Sequence, residues 1–473
     1  MSAFEEFSSS ESELQELILR YESSLTSRES CYFDVDEYED LATYYLQHNQ
    51  LDRVKGLLDT ALNCFPVAAE LLLKKAQYLA SVQNTQEALL ILSDLEYRSV
   101  FLYDVFMIRG HVYSQMACSE LAIEQFKNAI PLAEEPEDVF AALGIEFLNS
   151  HKASDALYYF KKALKHNPEL DALFPDVFLC FEYTGRLKEA ADYFNEATNQ
   201  TPYSFHAWYY LGLAYLKQHL PEFALQAFDY ALAIQDRSIS VRIHMAQAQV
   251  NLEHYAQAIT LLQEALEIDA NDAQIYFSLA EVYYATEAYS QALIQYNKCI
   301  KRDPAWADAW MGIALVLDHL NRISEALHYI RKAVEINPQE SEYWYVLAEL
   351  QHKMGFLEEA EQAYQRVIEC DYPEVDVWMD YGHLLIQTEQ YEKALEVFFE
   401  GIKQFPKSGE LFYQVSAVFL KLQQRQSSLE FLEKALQMDY SKHTVLTELI
   451  PQIRTDLEVM DLINSYKSKD SWV

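Results

Sequence analysis

Glycine and proline are scarce in this chain, with 10 Gly and 12 Pro in 473 residues. These two residues supply the positive φ angles and fixed corners of hairpins, phosphate-cradling loops and extended linkers, so their scarcity leaves room for little but helix. Basic residues are scarce as well: 36 Lys+Arg stand against 73 Asp+Glu, a net charge of −37. Such a chain repels phosphate backbones and anionic lipid surfaces, which excludes an ordinary nucleic-acid binder. The six cysteines (Cys31, Cys64, Cys118, Cys180, Cys299, Cys370) are scattered, without a CxxC or a Cys/His cluster. We therefore expect reduced packing residues, with no disulfide framework, no metal and no cofactor. No apolar run approaches the roughly 18 residues a membrane span requires, so no membrane insertion is expected. Residues 1–30 lack the basic-then-apolar pattern of a secretory leader, and a cytoplasmic protein is expected. What the chain does have is apolar bulk: 51% hydrophobic and 14% aromatic residues, including 34 Tyr and 25 Phe, too much for a disordered acidic tail.

The bulk is periodic. A frame opened at Val35 and advanced by 34 residues starts units at 35, 69, 103, 137, 171, 205, 239, 273, 307, 341, 375 and 409, with no insertion over residues 35–442. Position 8 of the frame reads Ala42, Ala76, Gly110, Gly144, Phe178, Gly212, Ala246, Ala280, Ala314, Ala348, Gly382, Ser416, small in all but one unit. Position 20 is Ala in ten units, while position 24 is large throughout, for example Phe126, Phe160, Phe194, Phe228, Tyr296 and Phe398. Small facing large is what close helix packing demands. Positions 4, 7, 8 and 11 form one helical stripe and 20, 24 and 27 a second, with a break near position 15 and a stop at position 32, where Pro66, Pro168, Pro202, Pro304, Pro338 and Pro406 fall. Each unit is thus expected to be a helix pair.

In the unit 205–238, Trp208, Leu211, Gly212, Tyr215, Ala224, Phe228 and Ala231 stand at the spacing W-x2-L-G-x2-Y…A-x3-F-x2-A. This resembles the tetratricopeptide repeat, whose 34-residue period is the one counted here. The resemblance implies an all-α fold, a right-handed α-α superhelix of antiparallel helix pairs whose first helices line a concave groove. Residues 1–34 read as an acidic segment with one capping helix (Leu14, Leu17, Ile18, Tyr21, Leu25), and 443–473 as C-terminal capping helices and tail (Val445, Leu446, Leu449, Ile450, Ile453, bent at Pro451). Two units depart from the pattern: 171–204, with Pro175 and Phe178, and 239–272, with Arg242 in an aromatic position and Gln249 at position 11.

Positions 2, 5, 9, 12 and 13 lie opposite the buried stripe of the first helix. Position 5 is apolar or aromatic in most units, and with its neighbours on this face nominates Met107, His111, Tyr209, Lys217, Phe277, Tyr284, Met311, Tyr345, Lys353, Met379, His383 and Tyr413 as groove residues. An apolar strip of this kind suits an amphipathic segment, while packing between neighbouring first helices accounts for the same residues as core. Asp308, Glu342, Asp376 and Glu410 at position 2 read as an acidic rim that steers a basic partner, or as carboxylates at helix N-termini. The family's chaperone-tail clamp needs Lys at position 5 and Asn at position 9, and no unit here supplies the pair.

No HExxH, GxSxG, GxGxxG or Walker-type loop occurs, and the 34 residues before and 31 after the repeats are too few for a catalytic domain. The expectation is a non-catalytic scaffold that binds a basic or amphipathic protein segment in the groove. The alternatives are a structural subunit working through its convex face or end caps, and a regulator that wraps an enzyme partner.

Overall fold

The computed structural model describes residues 2–27, 31–370, 374–450, 453–454 and 456–467. Among these, every regular element is a helix, and the chain divides into two units, Met1–Asn251 and Leu252–Val473. The division falls inside the repeat opened at 239, between its two helices.

In the first unit, Ser2–Ser27 precedes six helix pairs, from Val35–Gln47 with Leu51–Cys64 to Phe205–Lys217 with Pro221–Ile234, and Ile239–Asn251 follows. The second unit opens on Tyr255–Ile268 and continues through five pairs, from Ala273–Ala285 with Tyr289–Arg302 to Gly409–Lys421 with Arg425–Met438, before Thr444–Leu449 and Leu457–Lys467. An unbroken core of the second unit runs from Tyr276 to Phe419. The fold is an all-α superhelical repeat array.

Close packing explains why positions 8 and 24 are chemically linked. A Cβ added to Gly110, Gly144, Gly212 or Gly382 would lie 2.1–2.5 Å from the ring of Phe126, Phe160, Phe228 or Phe398. Glycine there makes room for the ring. The break at position 15 is more uniform than two glycines suggest. Asn49, Gln83, Ala117, His151, His219, Glu253, Glu287, Asn321, Glu389 and Gln423 join Gly185 and Gly355 at φ of +54° to +80°. The next amide then bonds back across the last turn, as Gln50 N to Tyr45 O at 2.9 Å, and closes the helix end.

The departures have local causes. In the unit 171–204 a single 3-10 turn, Asp171–Leu173, delays the first helix to Phe174–Tyr183, which places Pro175 in its first turn, where no amide is missed. Phe178 is buried beside Phe194 and Tyr210, and this helix pairs less closely with its partner Leu187–Gln200 than any other pair of the first unit. Arg242 keeps the function of the aromatic it replaces: its Nη1 donates to the Asp236 carbonyl six residues earlier, at 2.6 Å. Trp208, Trp310 and Trp344 donate from Nε1 to Pro202, Pro304 and Pro338 at 2.9 Å, and Tyr276 donates to Ala270 O at 3.1 Å, all with the same offset.

At the amino end Tyr21, Leu17 and Ile18 pack on the first pair, whereas Leu25 is exposed. At the carboxyl end Leu446, Ile453, Val459 and Ile463 join Tyr413, Ala417 and Leu436 in a terminal core. The side chain of Val445, and Pro451, lie outside the described residues.

Candidate interface on the first helices

Two helical turns separate positions 2 and 9, and 5 and 12, so these residues share one face of each first helix. Neighbouring first helices bring those faces side by side, and the contacts between them follow one rule. In nine places among the described residues, a residue at position 1, 2, 5 or 12 pairs, by hydrogen bond or ion-pair contact, with the residue 35 further on. In the first unit the pairs are Glu39 with Lys74 (3.4 Å), Asp171 with His206 (3.3 Å), Glu182 with Lys217 (3.0 Å) and Tyr209 with His244 (3.2 Å). In the second they are Tyr284 with His319 (2.9 Å), Asp308 with Tyr343, Asp318 with Lys353 (2.6 Å), Tyr345 with Asp380 (2.6 Å) and His352 with Gln387 (2.7 Å). The sequence reading missed this ladder; its signal is the complementarity of residues one repeat plus one apart, not their identity at one position.

The ladder reassigns part of the expected groove. Tyr209, Tyr284 and Tyr345 are half-buried and tied to the next helix, and Lys217 and Lys353 are neutralised by Glu182 and Asp318. Phe277 stacks on Trp306 at 5.4 Å, and Met311 and Met379 pack partly against the core, as Met107 is half-buried in the first unit. His383 is half-buried, with Nε2 lacking a hydrogen bond among the described residues. Tyr413 is not a groove residue. It is fully buried, donating to the Asp439 carbonyl at 2.9 Å, because the segment after the last repeat covers its helix. Glu410 is likewise engaged, by Lys442.

Apart from the exposed Lys421 near the carboxyl end, the charges left on this face of the second unit are negative. Asp308 accepts from Tyr343 and Glu281 from Tyr296, while Glu342 and Asp376 are exposed, and Glu342 and Glu349 have no ion-pair partner among the described residues. Loss of hydration on the crowded face is the main cause raising the pKa of Glu281, Glu342 and Glu349. Neighbouring carboxylates add to it, Asp308 at Glu281, Glu340 and Asp308 at Glu342, Asp380 and Asp318 at Glu349, while the Tyr296 hydroxyl opposes it at Glu281 and Lys353 opposes it at Glu349. In the first unit the same crowding lowers the pKa of His111 and His244, so both imidazoles favour the neutral form. Among the described residues no His/Cys/Asp/Glu group has the arrangement of a metal site, and no helix is long and apolar enough to cross a membrane.

Models of the tetratricopeptide repeat match residues 181–239, 273–305, 307–340 and 345–409, and a TPR repeat model matches 246–287. The chain carries tetratricopeptide repeats over these residues. No curated protein matches it. Solved structures similar to it include YrrB, a TPR protein with an unusual peptide-binding site, at 26% identity over 38% of this chain and 94% of that one, TM-score 0.33. Yeast Tom70 is 13% identical, covering 85% and 96% of the two chains with a TM-score of 0.44. Cut9–Hcn1 of the APC/C hetero-tetramer is 12% identical, covering 96% and 94% with a TM-score of 0.40. The family supports a protein-interaction scaffold.

Proposed function

We propose that the chain is a non-catalytic scaffold whose first-helix face in the second unit receives a basic, amphipathic segment of a partner protein. The observation that carries this reading is the row of carboxylates at Glu281, Asp308, Glu342 and Glu349: crowding raises the pKa of Glu281, Glu342 and Glu349, Asp308 adds to it at the first two, and half-buried Met311 and Met379 stand at position 5 of the same succession of first helices. A Lys or Arg side chain arriving there relieves like-charge repulsion on a partly dehydrated face, while its apolar neighbours meet methionines that adapt to varied shapes. The test is anisotropy titration of a labelled amphipathic Lys/Leu helix peptide with the full chain, at low and high salt. Glu342→Lys with Glu349→Lys is expected to weaken binding by roughly tenfold or more, and salt to weaken the wild type in parallel. Equal affinity for wild type and variant, at equal helicity, refutes the reading.

A further inference from the structure

The unit 171–204 leaves open a place that other repeats fill. In the units opened at 205, 239, 273, 307 and 341, the side chain at position 4 donates to the carbonyl six residues earlier. Where it is Trp, the ring lies on the second helix of its own pair. Trp208 stacks on Tyr230 at 4.3 Å, Trp310 lies 5.8 Å from Tyr329, and Arg366 covers Trp344 at 5.7 Å. These three partners stand at positions 23 and 26 of the frame. In the unit 171–204 the corresponding residues are Tyr193 and Glu196, and the carbonyl six residues before Phe174 belongs to Pro168.

Phe174 does not take that place. In the preceding unit, Phe140 at the same position is 6% exposed and lies over Tyr159 (6.2 Å) and His166 (5.6 Å), at positions 23 and 30 of the frame. Phe174, carried by the delayed helix start, instead meets the core ring Phe194, at position 24, edge-on at 5.4 Å and is 2% exposed. Tyr193, Glu196, Gln200 and Pro168, together with Phe174 itself, line a cavity of about 330 Å3 between the helices Ala153–His166 and Leu187–Gln200, rimmed by Lys161 and Lys165. A cavity of this size is at the lower end of the range that holds a specific ligand group. The Pro168 carbonyl, unlike those of Pro202, Pro304 and Pro338, accepts no side-chain donor among the described residues.

The rim carries two lysines in a strongly acidic chain, with Glu196 as the acidic residue of the lining. Lys161 Nζ lies 4.7 Å from the Phe181 ring and 4.8 Å from that of Tyr193, makes no ion pair among the described residues, and is pushed down in pKa by burial and then by Arg186. Lys165 is exposed beside it.

We infer that this cavity is a docking site for the tryptophan side chain of a partner protein, carried in a segment with acidic residues on both sides of it. The indole has the shape the other repeats place there, its N–H meets the Pro168 carbonyl, and flanking carboxylates meet Lys161 and Lys165. This site lies in the first unit, on the second helices, and its use is independent of the acidic first-helix face.

The probe is an end-blocked, fluorescein-labelled peptide Asp-Glu-Trp-Glu-Asp, titrated by anisotropy with the full chain, alongside versions with Ala or Leu in place of Trp. The Trp peptide is expected to bind, and both replacements to bind roughly tenfold or more weakly. Phe174→Trp supplies an indole from within the chain and is expected to lower affinity by a similar factor at unchanged circular dichroism. Lys161→Gln, which leaves the cavity open, is expected to weaken binding severalfold and to reduce its salt dependence. Equal binding of the Trp and Ala peptides, no binding to wild type at millimolar concentration, or wild-type affinity in a folded Phe174→Trp chain each overturns the proposal. If Phe174→Trp fails to fold, the Trp-against-Leu comparison and Lys161→Gln decide it alone.

Discussion

Replacing Gly212 by alanine tests the packing rule that links positions 8 and 24. The new Cβ would lie 2.4 Å from Cε1 and 2.5 Å from Cδ1 of Phe228, a fully buried ring that cannot swing into solvent. Overpacking of a tight core costs about 1–3 kcal/mol. Exchanging Gly for Ala inside a helix returns about 1 kcal/mol. The net loss is therefore at most about 2 kcal/mol, which raises the local opening constant of this helix pair up to about 30-fold. Hydrogen exchange followed by mass spectrometry on peptides spanning 205–234 reads that opening directly. The decisive variant is the double one, Gly212→Ala with Phe228→Leu, which recreates the Ala/Leu combination that the chain carries at Ala42/Leu58 and Ala76/Leu92. Removing the ring edge gives the methyl somewhere to sit, so the two changes should couple favourably by about 1–2 kcal/mol. Strict additivity refutes the reasoning, because it means that the alanine is accommodated by backbone movement and that the glycine is not there for the ring.

Ser416 and Ser428 replace the small apolar pair of the other repeats with two buried hydroxyls, each donating to the other's carbonyl at 2.9 Å. Because both acceptors are main-chain carbonyls that alanine retains, each single Ser→Ala change removes one hydroxyl bond and leaves the other, so each should cost about 0.5–1.5 kcal/mol in urea denaturation and the two costs should add to within about 0.5 kcal/mol. The raised pKa values of Glu281, Glu342 and Glu349 give the second unit a pH dependence of definite sign: each group favours folding most when protonated, below its ordinary value of 4.5, and loses that contribution as pH rises through its raised folded value. Changing all three to Gln should therefore protect the amides of the second unit more at about pH 7.5 than at about pH 5, and an equal gain at both would contradict the assigned cause.

The helix pairs were legible because their grammar is one of size. Small at 8, large at 24 and proline at 32 recur whatever the chemistry, and the period needs no gap. The site was less legible. Position 5 reads as an apolar strip, yet Tyr209 and Tyr345 spend their hydroxyls on the next helix, a relation between repeats that inspection of one position does not reveal. Tyr413 looks like its equivalents and differs only because a later segment covers it. Arg242 looked like a defect because the pattern asks for an aromatic, while the physical requirement there is a donor that reaches back six residues. Phe178 and Pro175 did mark a departure, but the opening it creates became visible only when the direction of Phe174 was known.

The contacts that span 35 residues constrain how such a chain can change. The core runs on from repeat to repeat, but its size rule at positions 8, 20 and 24 is nearly the same in every unit, so by that rule alone the units would be interchangeable parts. The lateral bonds make them dominoes: the half-tile ending in Tyr345 is matched by Asp380, that of Asp318 by Lys353, and that of Glu182 by Lys217. Exchanging two non-adjacent units would keep the size rule and yet disturb four edges. The order of the repeats is thus written in the edges between them, and duplication or shuffling must carry neighbours along or rewrite the seam.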